Sequence, residues 1–234
     1  MSIVFLVRHG QATFQGANPG ELTDLGRRQA QVLGDFFAQT GRRFDVCVTG
    51  DLSRQTATAD IIGRRVGWLA DVPRVIVPEL NEHNTGSIIK ALAPEMVRPN
   101  SSSVDSLVAF KIDRDDFRSV FEATLQRWVT GRYEVTDIES WPAFTARVRR
   151  GLQQTVGALH EKAQALVVSS GGPISATMQW ALGLSDESTL RLMWRIRHAS
   201  VSVFKITADR AELLSFNSAA HLELENDRAL LTYM

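Results

Sequence analysis

Residues 3–11, Ile3-Val4-Phe5-Leu6-Val7-Arg8-His9-Gly10-Gln11, decide the fold that this sequence predicts. Five apolar residues in succession, rich in β-branched and aromatic types, are typical of a strand buried on both faces. The run ends abruptly at an arginine, a histidine and a glycine. Ligands of open α/β sheets bind outside the carboxyl ends of the strands, and an imidazole beside a guanidinium there suits a phosphate ester. A merely polar strand end would look the same, so the interpretation depends on the rest of the chain.

Length and composition limit the possible classes of protein. A chain of 234 residues, 44% hydrophobic and 22% charged, can hold one α/β domain with an insertion or two small domains. The formal net charge is zero, which argues against nucleic acid or a membrane surface as a partner. The single cysteine, Cys47, lies in an apolar run and is predicted to be a buried structural thiol. Because we see no signal peptide or transmembrane run, we expect a cytoplasmic protein.

Strand and helix patterns alternate along the first 86 residues. Thr23 can cap a helix that ends near Gly41, and a second helix starts at Asp51 or Ser53. Strands are predicted at 44–49 and 74–77. This β-α-β-α-β order favours a largely parallel, doubly wound sheet.

Residues 87–139 interrupt that alternation and are predicted to form a mostly helical cap inserted over the site. A strong helix at 140–162, with Arg147, Arg149 and Arg150 on its solvated face, then resumes the core. The remaining predicted elements are a strand at 165–169, a tight Gly-Gly-Pro turn at 171–173 leading into a helix at 174–182, a short helix near 190–194 and a hairpin at 201–206 and 212–216. We therefore predict one domain, 1–234, with a three-layer α/β fold, a doubly wound, mainly parallel sheet and a helical cap insertion at about 87–139.

Two strand-to-loop junctions carry basic residues. The first is Arg8-His9-Gly10, and the second is Leu52-Ser53-Arg54, which places Arg54 in the first turn of a helix. An arginine is disfavoured at the positive end of a helix dipole, so Arg54 indicates an anion shared with the helix N-terminus. An exposed surface arginine is the alternative.

Two further junctions complete the candidate site. The stretch 78–83 brings Glu79 and Glu82 to the end of a strand, where partial desolvation would raise the pKa of a carboxyl and let it donate a proton. The stretch 168–173 supplies successive backbone N–H groups at the start of a helix, which is typical of an anion-binding nest. Solvated acids and an ordinary glycine turn are the respective alternatives.

Together these blocks resemble the histidine phosphatase superfamily, which includes the cofactor-dependent phosphoglycerate mutases and related phosphatases. The matching blocks are residues 6–11, 22–30, 52–59 and 80–86, followed by 168–172, in the family's order. The resemblance implies that His9 is the phosphorylated nucleophile and that Glu82, not Glu79, is the general acid. It implies substrate binding by Arg8, Gln11, Thr23, Arg54, Ser170 and Gly171.

The chain departs from the family pattern at two positions. Ala57 stands where a glutamine is usual, and Ser170 stands where the family has a second catalytic histidine that hydrogen-bonds the transferred phosphoryl group. Loss of one preorganised donor costs about 3–4 kcal/mol of transition-state stabilisation. His83, His198 and His221 are the candidates to compensate, although a non-catalytic role is the alternative for each.

The resemblance implies a phosphoric monoester hydrolase that acts through a phosphohistidine on a small organic phosphate, without a metal or other cofactor. Phosphatase activity is favoured over mutase activity because His83 replaces the arginine that follows the acid in the mutases. A catalytically impaired relative that binds a phosphorylated ligand or a protein partner is one alternative, and mutase-type phosphotransfer is another. The substrate and the oligomeric state are left open.

Overall fold

The computed structural model describes residues 1–13, 20–67, 71–92, 114–131 and 137–233, and only the backbone of 114–119. Residues 93–113 and 132–136 of the predicted cap insertion therefore lie outside the described residues. The elements in chain order are β1 (Ser2–Arg8), α1 (Asp24–Gln39), β2 (Val46–Thr49), α2 (Ser53–Val66), β3 (Arg74–Ile76), a 3-10 turn (Pro78–Leu80), α3 (Thr85–Leu92), α4 (Arg114–Thr130), α5 (Trp141–Gly157), β4 (Gln164–Ser169), α6 (Gly171–Leu182), α7 (Asp186–Met193), β5 (Val201–Ile206), β6 (Ala211–Ser218), α8 (Ala220–Glu223) and a second 3-10 turn (Arg228–Leu230).

The described strands form one six-stranded sheet in the order β3-β2-β4-β1-β5-β6. The first four of these strands are mutually parallel, and β5 runs antiparallel to both β1 and β6. The predicted mixed α/β fold with a mainly parallel sheet is thereby confirmed, and the strand ends fall within two residues of the predicted ones. The carboxyl ends of the parallel strands meet at one edge, which we call the carboxyl edge.

Strand β1 lies in the interior of the sheet because its side chains are apolar on both faces. On one face Val4 and Leu6 pack with residues of α5 and α6, and on the other Phe5 and Val7 pack with residues of α1 and α2. Layers of helices therefore cover both faces, as the uninterrupted apolar run predicts. Cys47 of β2 is buried in the same cluster as Phe5 and Val7, and burial raises the pKa of its thiol to about 11.

Helices α3 and α4 fall within the stretch predicted as a cap. Ile88 and Leu92 of α3 join Leu125 of α4 in the same core cluster that contains β1 side chains. The two helices therefore belong to the apolar core on that face of the sheet.

The start of α6 differs from the predicted turn. Gly171 and Gly172 form its first turn together with Pro173, because the first N–H groups of a helix have no intrahelical partner and a proline there sacrifices no hydrogen bond. The helix consequently begins directly at the carboxyl edge, with Ser170 as its N-cap residue. This brings the backbone N–H groups of the Gly-Gly pair to the end of β4.

Candidate active site

Four segments distant in sequence meet at the carboxyl edge beside β1. They are the end of β1 with His9, the first turn of α2 with Arg54, the loop after β3 with Glu82, and the start of α6 with Ser170. The parallel pairing of β1 with β4 sets Arg8 opposite Ser169, and the N–H of His9 donates to the Ser169 carbonyl oxygen at 2.9 Å. This register places the nucleophile candidate directly beside the start of α6.

The ring of His9 is held in one tautomer by its hydrogen bonds. Nδ1 lies 2.7 Å from the Gly10 carbonyl oxygen, which can only accept, so Nδ1 carries the proton. Arg54 Nε donates to Nε2 at 3.0 Å, and Nε2 can accept only when unprotonated. Burial, reinforced by the charges of Arg54 and Arg8, lowers the pKa of His9 well below 6.5. The imidazole is therefore neutral at physiological pH, and the lone pair of Nε2, which accepts from Arg54 in the structure, becomes available to an electrophile once Arg54 turns to another acceptor.

The guanidinium of Arg8 is buried next to His9, and burial lowers its pKa to about 10 even though Glu82 opposes the shift. Its Nη1 donates to the carbonyl oxygen of Ile196, which holds the group in place. Its Nε is buried without a hydrogen-bond partner among the described residues. A Cβ built on Gly171 would stand 3.8 Å from Cζ of Arg8, so the helix start faces this donor. Arg8 can thus offer an unused N–H to an anion.

Glu82 lies beside both arginines, but its protonation state differs from the prediction. Burial raises the pKa of Glu82, as predicted, but His83, the Gly172 N–H and Arg54 together outweigh burial and bring it to about 2. Gly172 N donates to Oε2 at 3.1 Å, and Nδ1 of His83 lies 2.8 Å from Oε1. The predicted raised pKa is therefore wrong, and Glu82 is a carboxylate in this structure. A Cβ on Gly172 would overlap Oε1, so only glycine allows this contact.

Gln11 and Thr23 lie at the junction of the His9 loop with α1. The Thr23 hydroxyl accepts from the Gly26 N–H at 3.0 Å, which confirms the predicted cap, and donates to Gln11 Oε1 at 2.9 Å. A Cβ on Gly10 would overlap the Gly26 backbone, so the loop approaches the helix start at a distance that only glycine permits. The two side chains are therefore linked to the loop that carries His9.

Arg147 supports the acid-bearing loop, a role that the sequence did not indicate. Its Nη1 donates to the carbonyl oxygens of Glu79 at 2.7 Å and Asn81 at 3.2 Å, and its Nε pairs with Glu139 at 2.7 Å. The prediction of a solvated face holds for Arg149 and Arg150, which are exposed, and is wrong for Arg147, which is half-buried. Arg147 ties α5 to the loop that positions Glu82.

His198 is the compensating-histidine candidate that the structure brings to His9. The centroids of the two rings are 5.9 Å apart, and Nδ1 of His198 lies 3.0 Å from Thr232 Oγ1. Burial, reinforced by the charge of Arg8, lowers the pKa of His198 well below 6.5. His198 is therefore a neutral imidazole at the edge of the site.

The other two histidine candidates face elsewhere. The His83 ring packs against Trp128 and Phe144, with centroids 4.9 Å and 5.7 Å away, and contacts the site through Glu82. The His221 ring packs on Phe36 of α1, at 5.7 Å, rather than on His9. The structure therefore does not place His221 beside His9, where it could compensate for the missing second histidine.

We expect His221→Gln to reduce the acid sensitivity of folding. Burial lowers the pKa of His221 to about 4, so between pH 6.5 and 4 the unfolded chain binds a proton that the folded protein does not. The wild-type free energy of unfolding should therefore fall as the pH drops through this range, and His221 contributes up to about 3 kcal/mol of that fall. Urea unfolding at pH 7 and at pH 4.5 measures the difference. His160→Gln, at an exposed histidine, serves as control; an unchanged slope in His221→Gln would contradict the expectation.

The described residues contain no group of three or more His, Cys, Asp or Glu side chains suited to a metal ion. Within the same ranges, no helix has both the length and the apolar character needed to cross a bilayer.

The fold and this site define an α/β protein with a buried neutral histidine between two arginines at the carboxyl edge of a parallel sheet. Within that class the chain belongs to the histidine phosphatase superfamily (branch 1), whose family model matches residues 4–102 and 109–219. The resemblance drawn from the motifs is confirmed at the level of the family.

Curated relatives carry two different activities in their names. The chain is 33% identical over 92 residues to a 2,3-bisphosphoglycerate-dependent phosphoglycerate mutase of Methylobacterium sp. (strain 4-46), a match that covers 37% of this chain and 44% of the mutase. It is 33% identical over 78 residues to the mitochondrial serine/threonine-protein phosphatase PGAM5 of Homo sapiens, which covers 32% of this chain and 27% of the phosphatase. The chain thus matches less than half the length of these relatives.

Solved structures share the fold over almost the whole chain. Phosphoglycerate mutase from Bacillus anthracis superposes with a TM-score of 0.64 and 16% identity, covering 97% of both chains. The alpha-ribazole phosphatase from Shigella flexneri superposes with a TM-score of 0.63 and 24% identity, covering 92% of this chain and 96% of the phosphatase. At these identities the comparison supports the fold alone.

Proposed function

We propose that the protein is a phosphoric monoester hydrolase that acts on a small organic phosphate through a phosphohistidine at His9. The observation that carries the proposal is the unprotonated Nε2 of His9, buried between Arg8 and Arg54. Membership of the histidine phosphatase superfamily supports the assignment. Phosphoryl transfer depends mainly on positioning and charge neutralisation, and two guanidinium groups beside a neutral imidazole supply both.

In the first step the Nε2 lone pair attacks phosphorus, the N–P bond forms and the bond from phosphorus to the leaving oxygen breaks. Arg54, which donates to Nε2 in the structure, would turn that N–H to an equatorial phosphate oxygen. The free Nε of Arg8 would bind another oxygen, together with the backbone N–H of Gly171. Gln11, Thr23 and Ser170 would complete the phosphate pocket.

Glu82 would donate the proton that the leaving oxygen needs. In the structure His83, Gly172 and Arg54 favour its carboxylate and bring its pKa to about 2. A phosphate dianion adds negative charge beside Glu82 and competes for Arg54, and both effects raise the pKa of the carboxyl. The proton is therefore taken up with the substrate and passes to the leaving oxygen. In the second step water attacks phosphorus, the N–P bond breaks and Glu82 accepts the proton of the water.

A mutase-type transfer is the second candidate because several curated relatives are named phosphoglycerate mutases. A mutase has to hold the second acidic group of its substrate beside the acid. Here His83 follows Glu82, and its ring is buried against Trp128 and Phe144. This packing favours hydrolysis.

A panel of phosphate monoesters, assayed with the wild-type protein and with His9→Ala, tests the proposal. We expect release of inorganic phosphate from at least one ester by the wild type alone. Including 3-phosphoglycerate with 2,3-bisphosphoglycerate separates isomerisation from hydrolysis. Binding of phosphate esters without turnover on the whole panel would contradict the hydrolase and favour an impaired, binding-only relative.

A further inference from the structure

We propose that Gln55 is a positioning residue of this site, which holds the Ser170 hydroxyl so that its proton is free for a bound phosphoryl group. Gln55 and Ser170 together would then occupy the volume of the second catalytic histidine that the family has at position 170, and would supply part of its hydrogen bonding to the phosphoryl group. This inference rests on the proposed function and deepens it, because it identifies a hydrogen-bond donor to the phosphoryl group that the sequence leaves unexplained.

The Gln55 side chain reaches Ser170 from the first turn of α2, next to Arg54. Both residues are 0% exposed. Nε2 of Gln55 donates to Ser170 Oγ at 2.9 Å and lies 3.3 Å from the carbonyl oxygen of Leu80. A carbonyl oxygen can only accept, so the NH₂ end of the amide has to face Leu80 and Ser170. Ser170 Oγ therefore accepts from Gln55, and its own O–H proton is not used in this bond.

Ser170 occupies a position where a serine side chain usually caps the helix that it precedes. It is the N-cap residue of α6, and an N-cap serine normally accepts from an N–H of the first helical turn. Among the described residues the Ser170 side chain makes no such cap bond, while the Gly172 N–H donates to Glu82 instead. The hydroxyl is thus held by Gln55 rather than by the helix. Ser170 follows the residue that pairs with Arg8 across the sheet and that accepts from the His9 N–H, so it lies at the same strand end as His9.

Gln55 also carries a cost that packing alone does not explain. Its Oε1 is buried without a hydrogen-bond partner in the described part of the chain. A buried polar atom without a partner destabilises a fold, and such atoms in native proteins are typical of functional sites. An apolar side chain of the same length would fill the volume without this cost, but it would lose the bonds that the amide makes to Ser170 and to the Leu80 carbonyl oxygen.

A double-mutant cycle in the full chain tests whether Gln55 acts through Ser170. The variants are Gln55→Met, Ser170→Ala and the double variant, and the measured quantity is the single-turnover rate of phosphoenzyme formation from p-nitrophenyl phosphate. We expect Ser170→Ala to lower this rate by up to about 10²-fold, and Gln55→Met by about three- to tenfold. The double variant should be no slower than Ser170→Ala. In steady-state assays of the same variants, KM should change less than kcat.

The matched control is Gln179→Met, which removes an amide from the far end of α6 where it donates to Asp186 at 2.6 Å. It should leave the rate unchanged, and urea unfolding of every variant separates lost rate from lost fold. Multiplicative effects of Gln55→Met and Ser170→Ala would overturn the pairing while leaving the hydrolase intact. A wild type that forms no phosphoenzyme would overturn the proposed function itself.

A second pair of variants tests whether Gln55 fills the volume of an imidazole. In Ser170→His the new ring would overlap the Gln55 side chain, whose Nε2 lies only 2.9 Å from Ser170 Oγ. Overpacking of a buried site in this way is destabilising. We expect no gain in turnover from this single variant. Combined with Gln55→Ala, it should raise turnover about tenfold over wild type, which is less than the rate that a preorganised charged donor can contribute. A single variant as active and as stable as the combined one would overturn the shared-volume part of the proposal.

Discussion

Replacing His9 with alanine is expected to abolish the covalent phosphoenzyme and to lower turnover by at least about 10⁴-fold. The reason is that Nε2 is the only ring nitrogen of His9 without a proton, and it lies between two arginines that can neutralise the transferred group. Incubation of the wild type with a labelled phosphodonor should give an adduct that is labile in acid and stable in alkali. The same treatment of His9→Ala should leave the protein unlabelled.

His160→Ala is the control for this experiment, because His160 is an exposed histidine whose ring lies 3.5 Å from Asp45. His198→Ala is the more demanding comparison, since its ring centroid is only 5.9 Å from that of His9. Peptide mapping at alkaline pH should place the phosphate on His9 in the wild type and in His198→Ala. Equal labelling of His9→Ala and wild type would remove His9 from the mechanism.

The second large effect is expected from Glu82→Gln, and its size should depend on the leaving group. An alkoxide leaving group needs a proton, so loss of the general acid should lower kcat for alkyl phosphates by about 10²–10³-fold. Nitrophenolate leaves without a proton, so the same variant should retain most of its activity on p-nitrophenyl phosphate. Glutamine keeps a carbonyl oxygen that can accept from the Gly172 N–H, which limits structural damage.

Glu79→Gln is the matched control for Glu82, because it lies in the same loop and makes the same chemical change. The Glu79 carbonyl oxygen accepts from Arg147, a bond that the substitution leaves in place. Its effect should be small and independent of the leaving group. If Glu79→Gln shows the leaving-group dependence instead, the acid has been assigned to the wrong carboxylate.

Local patterns in the sequence predicted the elements that carry the candidate site. The apolar run 3–7 followed by Arg8 and His9, the cap at Thr23 and the arginine in the first turn of α2 are all found where the spacing placed them. Each depends on residues close together in the chain. Because the carboxyl ends of parallel strands share one edge, these separate local signals also predicted that the side chains would meet.

The chemical state of those side chains was not predictable in the same way. Partial burial alone suggested a raised pKa for Glu82, yet His83, Gly172 and Arg54 reverse the shift. Gly172 and Arg54 come from segments far from Glu82 in the chain. The direction of a pKa shift follows from the sum of burial and neighbouring charges, and only the folded structure specifies those neighbours.

The sequence by itself determined the order of strands and helices, because these depend on local apolar patterns, and its resemblance to a known family indicated the candidate nucleophile and its two arginines. The tertiary structure alone decided which distant groups serve the site. Gln55 meets Ser170 across 115 residues, Arg147 holds the loop of Glu82, and His198 rather than His221 stands beside His9. The physical reason is that a hydrogen bond or a ring contact forms over a few ångströms, and the packing of helices on the sheet sets those distances.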